Sequence, residues 1–389
     1  PKVWEASGHT TTFNDPLVTD TKTKKRYRAD HVLEEQGIDP TGMSLEDMGK
    51  VIFEKGLTSA EGNPFSEPQQ FNMMFKTSVG SVDGTDTSVY IRPETAQGMF
   101  VNFKNVIDSF HPKLPFGIAQ IGKAFRNEIA PREFLFRVRE LEIMEFEYFL
   151  AESEWQEAFE LWRKESHLWF KELGFSADEI KEVEVEGTDR AHYSKRTLDF
   201  YFNYPNGYKE IGGIAYRTDF DLKNHIERSG VDLSYLDSET HEKFIPHVIE
   251  PTFGLGRHVL AVLASAYRED TLGGDVRTYL ALVPKIAPVK AMVAPLLKNK
   301  PELVAKAREV RAELKKIHPA IAWDDNGNIG KRYRRQDEIG TPFCITIDFD
   351  TLGETPELKD TVTLRNRDTG EQERLTLSDV IKRIRLAIE

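Results

Sequence analysis

Hydrophobic and polar positions alternate most regularly in the middle of the chain. Residues 118–125 and 141–150 read as strands. In the second, Leu141, Ile143, Glu145 and Glu147 fall on one face and Glu142, Met144, Phe146 and Tyr148 on the other. Two glutamates on one strand face are ordinarily solvated; they mean more only if the face lines a cleft. Before these strands, residues 1–30 are loop-rich and 30–70 read as short helices with a polar connector. Ser44, with Asp47 three residues on, predicts a helix start. Ser153-Glu154-Trp155-Gln156 predicts the cap of an amphipathic helix running to about Leu173, packed through Trp155, Phe159, Trp162, Trp169 and Phe170. Residues 174–196 read as an insertion, 197–216 as strands and 257–267 as a helix. A polar, glycine-bearing linker at 269–275 precedes a change to strand–helix–strand: apolar 281–293, helical 302–317, strands 343–348 and 361–367, helix 378–388.

Composition narrows the class. The 389 residues suffice for two or three domains with full cores. Cys344 is the single cysteine, which excludes an internal disulfide and a multi-cysteine metal site and suits a reducing cytoplasm. No run of 18 apolar residues predicts a membrane-spanning helix. Pro1 and the absence of a signal peptide suggest processing or truncation at the N-terminus. The net charge of −12 is uneven: residues 278–389 carry 20 basic and 17 acidic residues, a net of +3, and the remainder 32 and 47, a net of −15. A basic tail on an acidic body points to a polyanionic partner for the tail, or to a chance imbalance of solvated faces.

The chemistry concentrates in two stretches. One is Phe125-Arg126-Asn127-Glu128 followed by Arg137-Val138-Arg139-Glu140; the other is Glu250-Pro251-Thr252-Phe253-Gly254-Leu255-Gly256-Arg257. No GxxxxGK[ST] loop is present, so any nucleotide phosphate must be held another way. Arginine forks can do this, being planar, bidentate and always charged. Arg126 and Arg137 flank 127–136, where Pro131, Arg132 and Glu133 suggest a hairpin loop. On paired strands they would converge over one ligand; alone, they could equally be surface ion-pair partners.

These stretches match the second and third signature motifs of class II aminoacyl-tRNA synthetases, and the wider text resembles the glycyl-tRNA synthetases. Trp4-Glu5-Ala6-Ser7-Gly8-His9, Arg92-Pro93-Glu94-Thr95-Ala96-Gln97-Gly98, Asn102-Phe103-Lys104-Asn105, Gln120-Ile121-Gly122-Lys123 and Asn328-Ile329-Gly330-Lys331-Arg332-Tyr333 carry it. The resemblance implies an α+β class II catalytic domain, an antiparallel sheet flanked by helices, over 1–275, and an α/β Rossmann-like anticodon-binding domain over 276–389. It implies formation of glycyl-adenylate from glycine and ATP, then transfer of glycine to the 3′ end of tRNA, in a cytoplasmic homodimer. For ATP it implies Arg126, at the α-phosphate, with Asn127; Glu128 at the adenine amino group; Leu141; and Arg137 and Arg257 at the β- and γ-phosphates. Glu210 is the implied Mg²⁺ ligand or, on the plain reading, an exposed strand-end glutamate. Glu94, Glu145 and Glu250 are implied around the glycine ammonium, with Thr252, and Arg217 near the substrate carboxylate. Lys331, Arg332, Tyr333, Arg334 and Arg335 are the implied tRNA strip, or else a solvated basic loop.

The chain departs from the family in places. The first class II motif, which builds the dimer interface, should precede residue 1. Leu141 stands where many relatives carry a phenylalanine against adenine, losing about 1 kcal/mol of stacking. Thr252 stands where serine is common. Residues 20–24 lack the thiols with which some relatives bind zinc, so no zinc is expected. Two rivals remain at this level. Threonyl, prolyl or histidyl synthetases need room for a side chain. A non-catalytic relative, like the accessory subunit of the mitochondrial DNA polymerase, would be expected to lose the motif arginines.

Overall fold

The computed structural model describes residues 1–79, 87–131, 133–187 and 190–389; Arg132 of the expected hairpin loop lies outside them. The chain divides into two compact units. The first comprises Pro1–Glu165 with Ile180–Val259, the second Ser166–Glu179 with Leu260–Glu389.

The first unit is built on a six-stranded antiparallel sheet. Its spatial order is Phe116–Phe125, Glu140–Leu150, His247–Gly254, Gly207–Thr218, Arg196–Tyr204 and Ile180–Val185. The two motif stretches, a hundred residues apart in sequence, thereby become neighbours: Glu145 lies opposite Thr252, and Ala215 opposite Glu250. The register works because Gly212 and Gly213 have no side chains. A Cβ on Gly212 would come within 2.6 Å of the Thr252 carbonyl, and one on Gly213 within 2.7 Å of the Asp199 carboxylate. Helix Ala96–Phe110 covers one face through Ala96, Phe100 and Phe103, which pack with Phe149, Leu222 and Val248.

The helix expected after residue 153 runs Trp155–Glu172. Its cap lies earlier than Ser153, where the Glu154 carboxylate accepts from the Ala151 N–H at 3.2 Å. Trp155 stacks on Tyr216 with ring centroids 4.3 Å apart, and Trp162 packs on Phe146 and Tyr148. Phe159 and Phe170 are buried as expected, whereas Trp169 is exposed. Residues 180–185 of the expected insertion form an edge strand of the main sheet. Ser44 and Asp47 form the expected capping box on helix Leu45–Glu54.

In the second unit a five-stranded sheet has the order Ile321–Trp323, Ala291–Pro295, Phe343–Ile347, Thr361–Asn366, Gln372–Thr376. The first three strands are parallel. Helices Pro301–Lys315 and Leu377–Ile388 cover it with Leu303, Val310, Leu314, Val380 and Ile384. The stretch expected as a linker is instead a hairpin, Tyr267–Leu272 with Asp275–Leu280, turned by Gly273 and Gly274 at positive φ. Among the described residues no helix is long and apolar enough to cross a membrane.

The hairpin is tied down by buried charge. Asp337 accepts from Arg365 at 2.7 and 2.9 Å and from Arg277 at 3.1 Å, and all three side chains are under 5% exposed. Removing the shared carboxylate takes both hydrogen bonds from the buried Arg365 and one of two acidic partners from Arg277, which keeps Asp270. Asp337→Ala should lower stability by about 3–5 kcal/mol in a denaturant titration; a loss under about 1 kcal/mol would contradict this reading.

Candidate functional site

Arg217 sits at the end of strand Gly207–Thr218 and is fully buried. It donates through Nε and Nη2 to Asp221 at 2.7 and 2.8 Å and through Nη1 to Glu250 at 2.8 Å. Its Nη2 lies 3.8 Å from Glu94. Asp221, four residues on, is in helix Phe220–Ser229, so strand and helix meet around one cation. Three of its five N–H groups are thus committed to this chain's carboxylates. These bonds hold Asp221 and Glu250 in place around the guanidinium.

Glu94, Glu145, Glu250 and Thr252 line one cavity of about 200 Å³. Glu94 is bonded by Gln97 Nε2 at 3.1 Å and lies 3.2 Å from His9 Nε2. Burial opposes its ionisation, but His9 and Arg217 outweigh burial and hold Glu94 below the usual carboxylate range. Glu145 accepts from the N–H of Thr95 at 2.6 Å and from its hydroxyl. Burial and the Glu94 charge nevertheless push Glu145 up. Burial also drives Glu250 up to about 8, against the pull of Arg217. Glu147 is fully buried, its oxygens have no hydrogen-bond partner among the described residues, and burial followed by the Glu250 charge pushes it well up. The strand face carrying Glu145 and Glu147 therefore faces the interior, and it does so beside a cleft.

A second cavity, of about 350 Å³, is lined by Arg126, Glu128, Phe136, Leu141, Gly254 and Arg257, among others. It shares Arg126, Leu141, Gly254 and Arg257 with the carboxylate cavity. A third, of about 420 Å³, brings Arg137, Lys209, Glu210 and Arg257 together. Arg257 is aimed by donating to the Glu210 carbonyl at 2.9 Å and the Phe136 carbonyl at 3.0 Å. Asn127 lines none of these three cavities; its N–H bonds the Met73 carbonyl at 2.8 Å.

Two residues escaped the sequence reading. Phe136 supplies an aromatic wall in the cavity where Leu141 lacks one. Asp199, from the strand paired with that of Glu210, lines the carboxylate cavity with it. Burial, then the Glu210 charge, push Asp199 up to about 7. The alternation of Arg196–Tyr204 marks Asp199 as unusual only once that face is known to line a cleft.

In the second unit the five basic-strip residues fall on helix Ile329–Glu338 and its faces separate them. Arg332 is buried and donates to the carbonyls of Pro295, Asp325 and Gly327. Tyr333 is buried against Thr346, and Arg335 pairs with Asp324. Lys331 is exposed and Arg334 partly so.

Residues 75–266 match the class II tRNA synthetase core domain (G, H, P, S and T), and 290–386 match an anticodon-binding domain. A prolyl-tRNA synthetase from Cryptosporidium parvum, solved with L-proline and AMP, has the same fold at a TM-score of 0.60 and 17% identity, over 82% of this chain and 62% of that one. The molecule is thus an aminoacyl-tRNA synthetase of class II. The glycine--tRNA ligase of Macrococcus caseolyticus is 47% identical over 98% of this chain and 82% of its own length. That of Thermus thermophilus is 45% identical over 96% and 83%. The chain belongs to the glycine--tRNA ligase family. It activates glycine with ATP and transfers it to tRNA.

The raised Glu250 has a consequence for binding. With its carboxyl pushed up to about 8, Glu250 would hold a proton near neutral pH; were it to meet the glycine ammonium, that ammonium would favour the carboxylate and expel the proton. Glycine itself stays charged over this range. KM for glycine should therefore fall as pH rises from about 7 to about 9. Calorimetry at neutral pH should show proton release, as a binding heat that depends on the buffer. A flat KM with buffer-independent heat would contradict the assignment.

Proposed function

We propose that the carboxylate cavity holds the glycine ammonium and that the adjoining cavity holds ATP, with reaction at their junction. The observation that carries this is the sharing of Arg126 and Arg257 by both cavities. A glycine carboxylate oxygen attacks the α-phosphorus there, the bond to the bridging oxygen breaks, and pyrophosphate leaves. Negative charge builds at the α-phosphate, and Arg126 lowers the barrier by standing beside it, with no proton to transfer. Pyrophosphate departs toward Arg137 and Arg257. Glu128 and Phe136 address the base, Glu128 as an acceptor and Phe136 as a stacking surface in place of the aromatic missing at Leu141. In the second half-reaction a terminal ribose hydroxyl of tRNA attacks the glycyl carbonyl and AMP leaves. Throughout, the chain's own groups position and stabilise charge; none forms a covalent bond to substrate.

The pair Asp199 and Glu210 fits a magnesium ion. Both are hard oxygen donors on adjacent strands, and the upward push on Asp199 from Glu210 is of the kind a cation relieves. When bound, the ion would neutralise phosphate charge. The division of labour between a catalytic domain over 1–275 and an anticodon-binding domain over 276–389 is part of the same proposal. So are homodimerisation and a cytoplasmic setting. For tRNA, Lys331 and Arg334 are the members of the basic strip best placed to meet a backbone phosphate, while Arg332 and Tyr333 support the helix that carries them.

Arg126→Ala should lower glycine-dependent ATP–pyrophosphate exchange by about 10³-fold or more, with the fold intact by circular dichroism. Exchange within about tenfold of the parent would remove Arg126 from the α-phosphate.

A further inference from the structure

The segment between strands Ile180–Val185 and Arg196–Tyr204 contributes a side chain to the glycine cavity. It is Tyr193, outside regular secondary structure. The segment is nevertheless anchored. Ser194 N–H bonds the Ala191 carbonyl at 2.9 Å, and Lys195 N–H bonds the Tyr216 carbonyl at 2.9 Å. His192 ties it to the N-terminal residues, with Nε2 3.0 Å from the Ser7 carbonyl and Nδ1 3.2 Å from the Thr12 hydroxyl. The Tyr193 ring lies flat on the Arg217 guanidinium, whose central carbon is 3.7 Å from the ring centroid. Phe100 lies at 5.4 Å from the same carbon.

Resting on the proposed function above, we propose that the Tyr193 ring sets the size limit of the amino-acid pocket and is the residue that excludes side chains larger than hydrogen. The ammonium is anchored by Glu94, Glu145 and Glu250, and the carboxylate must face the α-phosphate at Arg126. With both ends held, substituents on the α-carbon can point only at the remaining walls. Ile214 and Ala215 belong to a central strand and cannot move without breaking the sheet. Tyr193 is the largest uncharged side chain lining the cavity, and its contact with a guanidinium that is itself held by Asp221 and Glu250 keeps it from swinging aside. A rigid wall rejects an added methyl by clash, which a merely apolar pocket does weakly.

The test compares kcat/KM for glycine and alanine in pyrophosphate exchange, in the full chain and in Tyr193→Ala and Tyr193→Phe. The glycine preference should fall at least ~10-fold in Tyr193→Ala and stay within about threefold of the parent in Tyr193→Phe, which keeps the ring. An unchanged preference in Tyr193→Ala overturns the inference, as does a Tyr193→Phe that loses preference equally, since the hydroxyl would then be responsible. If Tyr193→Ala fails to fold by thermal unfolding, Tyr193→Leu is read in its place against the same criteria. A parent chain inactive with glycine would overturn the functional reading first; an active parent with an unchanged ratio overturns only this inference.

Discussion

One buried guanidinium organises the site. Glu94, Glu145, Glu147, Asp221 and Glu250 are all buried and converge, and among the described residues Arg217 is the only arginine or lysine paired with any of them. Burial and this crowding of like charge push Glu145, Glu147 and Glu250 up, while Glu94 is held down by His9 and Arg217. Asp221 and Glu250 come from a helix and from a strand next to the one that carries Arg217; the ion pairs therefore tie two central strands to that helix as well as setting the charge. The remaining deficit of positive charge is what an ammonium ligand relieves. On the function proposed above, recognition of glycine is inseparable from the packing that created the deficit.

The same economy runs along the sheet. Two cavities of different character share a border at Arg126, Leu141, Gly254 and Arg257. On one side acids gather; on the other, arginines and an aromatic ring. That border exists because Gly212 and Gly213 let strand Gly207–Thr218 lie close against its neighbours, bringing Thr252 and Asp199 within a Cβ's width of the backbone.

Much of this was legible before the fold was known. Strand Glu140–Leu150 and helix Leu255–Ala266 follow from periodicity, and Arg126, Arg257, Glu94, Glu145 and Glu250, singled out by the resemblance to the synthetases, line adjoining cavities. What periodicity could not reveal depends on contacts distant in sequence. The 269–275 stretch is polar because a hairpin solvates one side while Arg277 reaches Asp337, sixty residues on. Arg332 looks like a ligand for RNA in a run of basic residues, yet helical spacing turns it inward onto three carbonyls. Tyr193 and Asp199 carry no motif; Asp199 reaches the cavity wall through strand pairing and Tyr193 from the loop that precedes the same strand. The commitment of Arg217 to Asp221 shows only in three dimensions.

The account stands or falls on a pocket whose charge demands an ammonium and whose walls admit no side chain. ATP–pyrophosphate exchange by the unmodified chain, run in parallel with glycine, alanine, serine, threonine, proline and histidine, tests both at once. The account predicts exchange with glycine alone. Comparable exchange with any larger amino acid, or none with glycine in a chain that still binds ATP, would contradict it.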